Sequence, residues 1–228
     1  MKETFIELLG ELGITVTENQ YQQFQKYYEI LIEWNDKINL TAITDIEDVF
    51  MKHFYDSVCL VKAIDINHQT LLDVGSGAGF PSIPLKILFP ELKVTIIDAL
   101  NKRIKFLEIL VKELDVEAEL IHGRAEDYKR KHCFDIVTAR AVANMQMLTE
   151  LCLPFAKVNG VFAAMKGPRL VEELPGSLNA ITVLGGKVKE TIEYDIDDQK
   201  RSIVVIDKIQ KSSPKYPRKF NQIKSNPL

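Results

Sequence analysis

The stretch Leu71-Leu72-Asp73-Val74-Gly75-Ser76-Gly77-Ala78-Gly79-Phe80 decides how this 228-residue chain is read. Leu71, Leu72 and Val74 form a short apolar run that stops at alternating glycines. Such a run predicts a buried parallel strand entering a tight turn. Glycine has no Cβ, so its backbone can take positive φ and lie bare against a ligand. Pro81 and Pro84 follow, and Pro suits the first turn of a helix. Strand, glycine turn and helix start together make a nucleotide-binding layout.

The loop departs from the dinucleotide fingerprint G-x-G-x-x-G. Its glycines fall at 75, 77 and 79, and Phe80 stands where that fingerprint has its last glycine. Asp73 puts a carboxylate at the strand end, which repels phosphate and suits a cationic ligand. A second apolar run, Val94-Thr95-Ile96-Ile97, ends at Asp98, 23 positions beyond Gly75. A ribose-binding acid is expected roughly 20 residues on. A nucleoside with a cationic amino-acid end and no phosphate fits these features, which points to S-adenosylmethionine. The alternative is a structural turn with a solvated Asp98, which leaves the clustering of three glycines unexplained.

Working outward, the first ~65 residues read as helical. Phe5, Leu8, Leu9 and Leu12 have helical spacing, and Thr17-Glu18-Asn19-Gln20 is a capping box that opens a long amphipathic helix. From Thr70 strands and helices alternate. Strands are expected at 93–97, 118–121, 134–138 and 161–165, with helices at 83–88, from Asn101 as cap, and around Met145 to Cys152. After Lys166-Gly167-Pro168-Arg169 the next elements read are strands at 188–194 and 203–209, joined by a polar turn. The pattern predicts an α/β fold: a doubly wound, mostly parallel sheet with an antiparallel final pair. It divides into an N-terminal helical cap (1–66), a cofactor-binding domain (67–210) and a basic tail (211–228).

In such sheets ligands bind beyond the carboxyl ends of the strands, at the switch point. The candidates there are Gly75, Gly77, Phe80, Asp98, Ala125, Glu126, Arg140 and Lys166. Ala125 is small enough to lie flat against a base, and Glu126 can accept from adenine's exocyclic amine. Glu126-Asp127 also suits a helix start, and Arg140 also suits a surface ion pair. The tail carries Lys208, Lys211, Lys215, Arg218, Lys219 and Lys224 with no acid after Asp207. That suits phosphate contact, or simply a solubilising disordered tail.

Composition sets the limits. Hydrophobic content of 46%, charged content of 27% and a net charge of −3 are ordinary for a soluble domain. No stretch approaches the ~18 unbroken apolar residues of a membrane helix. Met1-Lys2-Glu3-Thr4 has no signal core, so a cytoplasmic protein is expected. Cys59, Cys133 and Cys152 and the four histidines are scattered, which suggests neither disulfides nor a metal site, and they are read as structural.

Several motifs resemble those of the bacterial 16S ribosomal RNA guanine-N7 methyltransferases, the RsmG or glucose-inhibited division protein B family. They are Trp34-Asn35 with Asn39-Leu40-Thr41, His53-x-x-Asp56-Ser57, Asp73 to Pro81, Gly123-Arg124-Ala125-Glu126, Thr138-Ala139-Arg140-Ala141, Lys166-Gly167, Pro217-Arg218-Lys219 and Asn226-Pro227-Leu228. The resemblance spans nearly the whole chain. It implies a class I methyltransferase fold, S-adenosyl-L-methionine as cofactor, and cofactor contacts at Gly75, Phe80, Ala125, Glu126 and Arg140. It also implies 16S ribosomal RNA or the small subunit as partner, with Lys166, Arg218 and Lys219 as RNA contacts. Phe220-Asn221-Gln222-Ile223 departs from the family's proline- and glycine-rich tail.

Guanine N7 carries a lone pair and no proton, so no catalytic base is expected. Arg140 and Lys166 are the candidates for orienting the base. Amino-group methylation would need an Asp/Asn-Pro-Pro-aromatic loop where Ala139-Arg140-Ala141-Val142 stands, and pyrimidine C5 attack would need a well-placed cysteine. Two alternatives remain at this level: a small-molecule methyltransferase with a closed apolar pocket, and a non-catalytic RNA-binding protein that holds the cofactor as a ligand.

Overall fold

The computed structural model describes residues 1–228. Two helices open the chain, α1 (Lys2–Glu11) and α2 (Glu18–Ile38). The capping box at Thr17 forms as expected, and Asn39 ends α2 in a left-handed turn at φ 49°. A bent helical segment follows: α3 (Ile46–Val49), a π-type turn (Phe50–Tyr55), α4 (Asp56–Val58) and a 3-10 turn (Cys59–Lys62). Then come β1 (Thr70–Val74), α5 (Ser82–Leu88), β2 (Lys93–Asp98), α6 (Asn101–Glu113), β3 (Ala118–His122) and β4 (Phe134–Arg140). The remainder is α7 (Met145–Cys152), β5 (Ala156–Lys166), α8 (Leu170–Val183), β6 (Gly186–Ile196), β7 (Gln199–Lys208) and α9 (Phe220–Ser225).

The strands form one sheet in the order β3-β2-β1-β4-β5-β7-β6. The first five are parallel, and β7 runs antiparallel to both β5 and β6. This is the doubly wound sheet the sequence predicts. Successive side chains of a strand face opposite sides, and the burial follows that rule. Leu71, Ile96, Ile136, Ala163 and Val205 enter a core on one face. Leu72, Val74, Ile97, Val137, Ala164 and Val204 enter the core on the other.

The N-terminal helices pack directly on one face of the sheet. Phe5, Phe24, Tyr27, Phe50 and Phe54 belong to the same buried cluster as Leu71 and Ile96, and with 36 residues it is the larger of two. The tail also packs. Tyr216 and Ile223 are buried in the second cluster, with Phe220 and Leu228 packed against it.

Helix α8 had no counterpart in the sequence reading, because Pro175 and Gly176 sit inside it. Proline removes one backbone donor. The helix persists because Leu170, Ser177, Ala180 and Ile181 bury one face. Asn101 does not cap α6. Leu100 holds that position, and its N–H donates to Asp98 Oδ1 at 2.9 Å. No helix is long and apolar enough to cross a membrane.

Candidate active site

The order of the strands reverses between β1 and β4, and that switch point organises the site. The chain leaves β1 through Gly75, whose N–H donates to Ile97 O at 2.8 Å. Gly75, Gly77 and Gly79 have φ of 75°, 63° and 100°, the left-handed region that favours glycine. A Cβ on Gly75 would stand 2.9 Å from Val142 Cγ2, and one on Gly79 would stand 2.7 Å from the Tyr27 hydroxyl. A Cβ on Gly77 would meet nothing within 4 Å. The turn is therefore packed from beneath by α2 and open at its middle glycine. Tyr27 holds it there, donating a buried hydrogen bond to Ala78 O and stacking on Phe80 at 5.5 Å between centroids.

Asp73 lies under the turn, fully buried. Its Oδ2 accepts from the Ser82 hydroxyl at 2.7 Å and the Ser82 N–H at 3.3 Å. Its Oδ1 has no partner, and neither has the buried Ser76 hydroxyl in the same turn. Burial pushes the Asp73 carboxyl up to about 7, against the opposing pull of Ser82 and Arg140. An orphaned buried oxygen of this kind calls for a partner.

Asp98 ties three strand ends together. Its carboxylate accepts from Gly77 N–H at 3.3 Å, Leu100 N–H at 2.9 Å and Arg103 Nη1 at 3.3 Å. Its backbone oxygen accepts from Gly123 N–H at 3.0 Å. Ala125 is buried and Glu126 half-buried in the 3-10 turn that follows β3. Glu126 Oε1 accepts from the backbone N–H of Phe220 at 3.2 Å.

Arg140, at the end of β4, faces the helical segment. Its Nη1 donates to Asp56 Oδ2 at 2.8 Å, and its guanidinium lies 4.8 Å from the centre of the Phe80 ring. Nη2 lies 3.3 Å from His53 Nδ1. Arginine can only donate, so Nδ1 accepts and His53 is neutral. Its Nε2 then donates to Thr41 Oγ1 at 2.7 Å. Burial first, and the Arg140 charge second, lower the imidazole to about 3. Asp56 Oδ1 accepts from the Tyr194 hydroxyl at 2.9 Å, and burial and that carboxylate hold the Tyr194 phenol well above its usual range. Ala141, the residue after Arg140, sits at φ 58°, a conformation non-glycine residues rarely take.

Beside this network opens a cleft of about 670 Å³, lined by Arg140, Asn144, Lys166, Arg169, Tyr194 and Arg201 among others. Lys166 Nζ pairs with Glu173 Oε2 at 2.6 Å and donates to Ala143 O at 2.9 Å. The two tail cations are engaged elsewhere. Arg218 makes a fork of hydrogen bonds to Glu150, at 2.8 and 2.6 Å, and that carboxylate's side chain is 1% exposed. Lys219 pairs with Asp127. Thus the structure brings Gly75, Gly77, Phe80, Asp98, Arg140 and Lys166 to the strand ends expected of them. It sets Arg218 and Lys219 against the protein's own acids.

The model of the rRNA small subunit methyltransferase G family, GidB, matches residues 20–204. The chain belongs to this family. Its relatives include the ribosomal RNA small subunit methyltransferase G of Exiguobacterium sibiricum, 50% identical over all of this chain and 99% of that one. The protein of the same name from Streptococcus pneumoniae is 48% identical over 99% of each chain. Among solved structures, TYW2 of M. jannaschii in complex with AdoMet superposes with a TM-score of 0.57 at 16% identity, covering 74% of this chain and 80% of that one. TYW2 of P. horikoshii in complex with MeSAdo gives 0.55 at 15%, covering 68% and 61%. Both share the doubly wound fold with this family member.

His53, Asp56, Tyr194 and Tyr27 were not among the residues the sequence nominated for the site. For one pair there was a signal: His53 and Asp56 are three residues apart on a helical segment, which puts them on one face. No group of three or more His, Cys, Asp or Glu side chains is arranged to hold a metal ion.

Proposed function

We propose that this chain transfers the methyl group of S-adenosylmethionine to N7 of a guanine in 16S ribosomal RNA, in the cytoplasm, acting on the RNA or on the small subunit. The observation that carries the reading is adjacency. The glycine turn, backed by the orphaned Oδ1 of Asp73, shares the β1/β4 switch point with a cleft rich in cations. The residues present fit the donor. Gly77 offers bare backbone, Asp98 ends β2 where a ribose-binding acid is expected, and Ala125 and Glu126 would flank the base. The names of the relatives, ribosomal RNA small subunit methyltransferase G, support an RNA substrate.

When bound, the donor supplies a methyl group on a positively charged sulfur. Everything else falls to positioning. N7 has no proton to lose, and His53 is locked as a neutral link between Arg140 and Thr41. Orientation of two reactants can contribute about 7–11 kcal/mol. Arg140, pinned by Asp56, and Lys166 are the cations placed to hold guanine O6. A cation at N7 itself would block the reaction. A flipped or unpaired guanine is required, because N7 lies in the narrow major groove of paired RNA. The open cleft with Arg169 and Arg201 on its wall favours this over a small-molecule substrate enclosed in apolar surface.

Mapping 7-methylguanosine in 16S ribosomal RNA from cells with and without this protein tests the proposal. One guanine should lose its methyl group in the deletion strain. Identical maps would overturn the assignment.

A further inference from the structure

We infer that the C-terminal tail is a working part of the cofactor pocket, in which the backbone N–H of Phe220 fixes the Glu126 carboxylate that reads the adenine of the donor. The inference deepens the proposed function and rests on the donor reading given there. Phe220 N–H donates to Glu126 Oε1 at 3.2 Å, and no other protein group hydrogen-bonds that carboxylate, so Oε2 is left for a ligand. A carboxylate accepts and cannot donate, so it favours a 6-amino purine and repels the 6-oxo oxygen of hypoxanthine. Held at one oxygen, the group keeps a single orientation. Released, it can turn away.

The contacts around Phe220 act to keep that donor in place. Arg218 is clamped by buried Glu150, and its own N–H donates to the same carboxylate at 2.9 Å. Lys219 pairs with Asp127, the neighbour of Glu126. The Arg124 guanidinium lies 5.7 Å from the centre of the Phe220 ring. Ile223 is fully buried, and Gln146 donates to the backbone oxygen of Leu228. Residues 218–220 therefore press on the turn 125–127 from outside, and their cations are spent on that docking. Phe220 acts through Glu126, so it is a positioning residue.

A single substitution isolates the N–H. Phe220 is the first residue of α9, where proline is tolerated. Lys219 before it has φ −61° and ψ 141°, a conformation that a following proline accepts. Phe220→Pro removes the donor and the ring. Phe220→Ala removes the ring and keeps the donor. Calorimetric titration of both full-length variants and wild type with S-adenosylhomocysteine, and separately with S-inosylhomocysteine, reads the effect without RNA. Relative to Phe220→Ala, Phe220→Pro should bind S-adenosylhomocysteine about fivefold more weakly, the net contribution of one ordinary hydrogen bond. Its preference for adenine over hypoxanthine should shrink by about the same factor. Should the proline variant fail to fold, Glu126→Gln tests the same contact in the full chain: with its amide oxygen held by Phe220 N–H it turns its NH2 to the ligand and should favour hypoxanthine over adenine, and an unchanged preference for adenine would count against the inference. Equal affinities and equal preference in the proline and alanine variants would overturn the inference. Wild type that binds neither compound would overturn both this inference and the donor assignment.

Discussion

Asp56 and Arg140 form a 2.8 Å ion pair that joins the N-terminal helical segment to the end of β4, with side-chain exposures of 6% and 15%. Removing one partner from such a pair costs about 3–5 kcal/mol, because the other charge is left buried. Asp56→Ala should lower stability in that range. Asp56→Asn keeps the shape and the Tyr194 contact, so it should lose less. Both should lower methyl transfer at least about tenfold by releasing Arg140. Urea unfolding together with a single-turnover assay checks this. Full activity in Asp56→Asn would contradict the positioning role of the pair.

His53 makes acid weaken the fold. Its imidazole is held down at about 3 in the native protein but takes up a proton near 6.5 when unfolded. The unfolded state therefore binds more protons between those values, and stability falls as pH drops from about 6.5 toward 3. His53→Gln can still accept from Arg140 and donate to Thr41. The variant should lose less stability than wild type between about pH 7 and pH 5, as measured by chemical denaturation. Parallel curves would show that His53 titrates normally.

Asp73 works in the opposite direction. Burial raises it to about 7 from an ordinary 3.8. The native state holds the proton more tightly than the unfolded chain, so its contribution is complete below about pH 4 and is lost as pH rises through 7. Asp73→Asn keeps an oxygen for Ser82 and removes the charge. Without cofactor, the variant should be more stable than wild type near pH 8, while its affinity for S-adenosylmethionine falls. Thermal melts across pH, paired with binding titrations, separate the two effects.

Two glycines of one turn should respond differently to the same change. Gly77→Ala meets open space and costs only the left-handed conformation, about 1–2 kcal/mol. Gly79→Ala adds a methyl group 2.7 Å from the Tyr27 hydroxyl and 2.9 Å from Ile83. Overpacking of that kind adds about 1–3 kcal/mol. Denaturation midpoints of the two variants should rank accordingly, and equal losses would deny that α2 supports the turn.

What could be read from sequence were the features with a local cause. Strands β1 and β2 announced themselves by apolar runs ending at Gly75 and Asp98, and α2 by the Thr17–Gln20 box. Helix α8 was hidden because Pro175 and Gly176 interrupt its pattern, and only burial of its inner face holds it together. The Arg140 network was hidden for another reason. Its partners Asp56 and Tyr194 are 138 positions apart, and nothing local links them. The tail shows how composition misleads. Its lysines and arginine read as phosphate contacts or a solubilising tail, and sequence gives no sign of Glu150 and Asp127 beside Arg218 and Lys219.

Tyr27 reaches from α2 to the carbonyl of Ala78 and covers the ring of Phe80. Residues 1–66 are thus a floor beneath the glycine turn and no detachable accessory. A fragment cut to begin at residue 67 would bare the apolar side of the sheet that Phe5, Phe24 and Phe54 now shield. Grafting the glycine turn onto another scaffold would likewise require carrying its supporting tyrosine along.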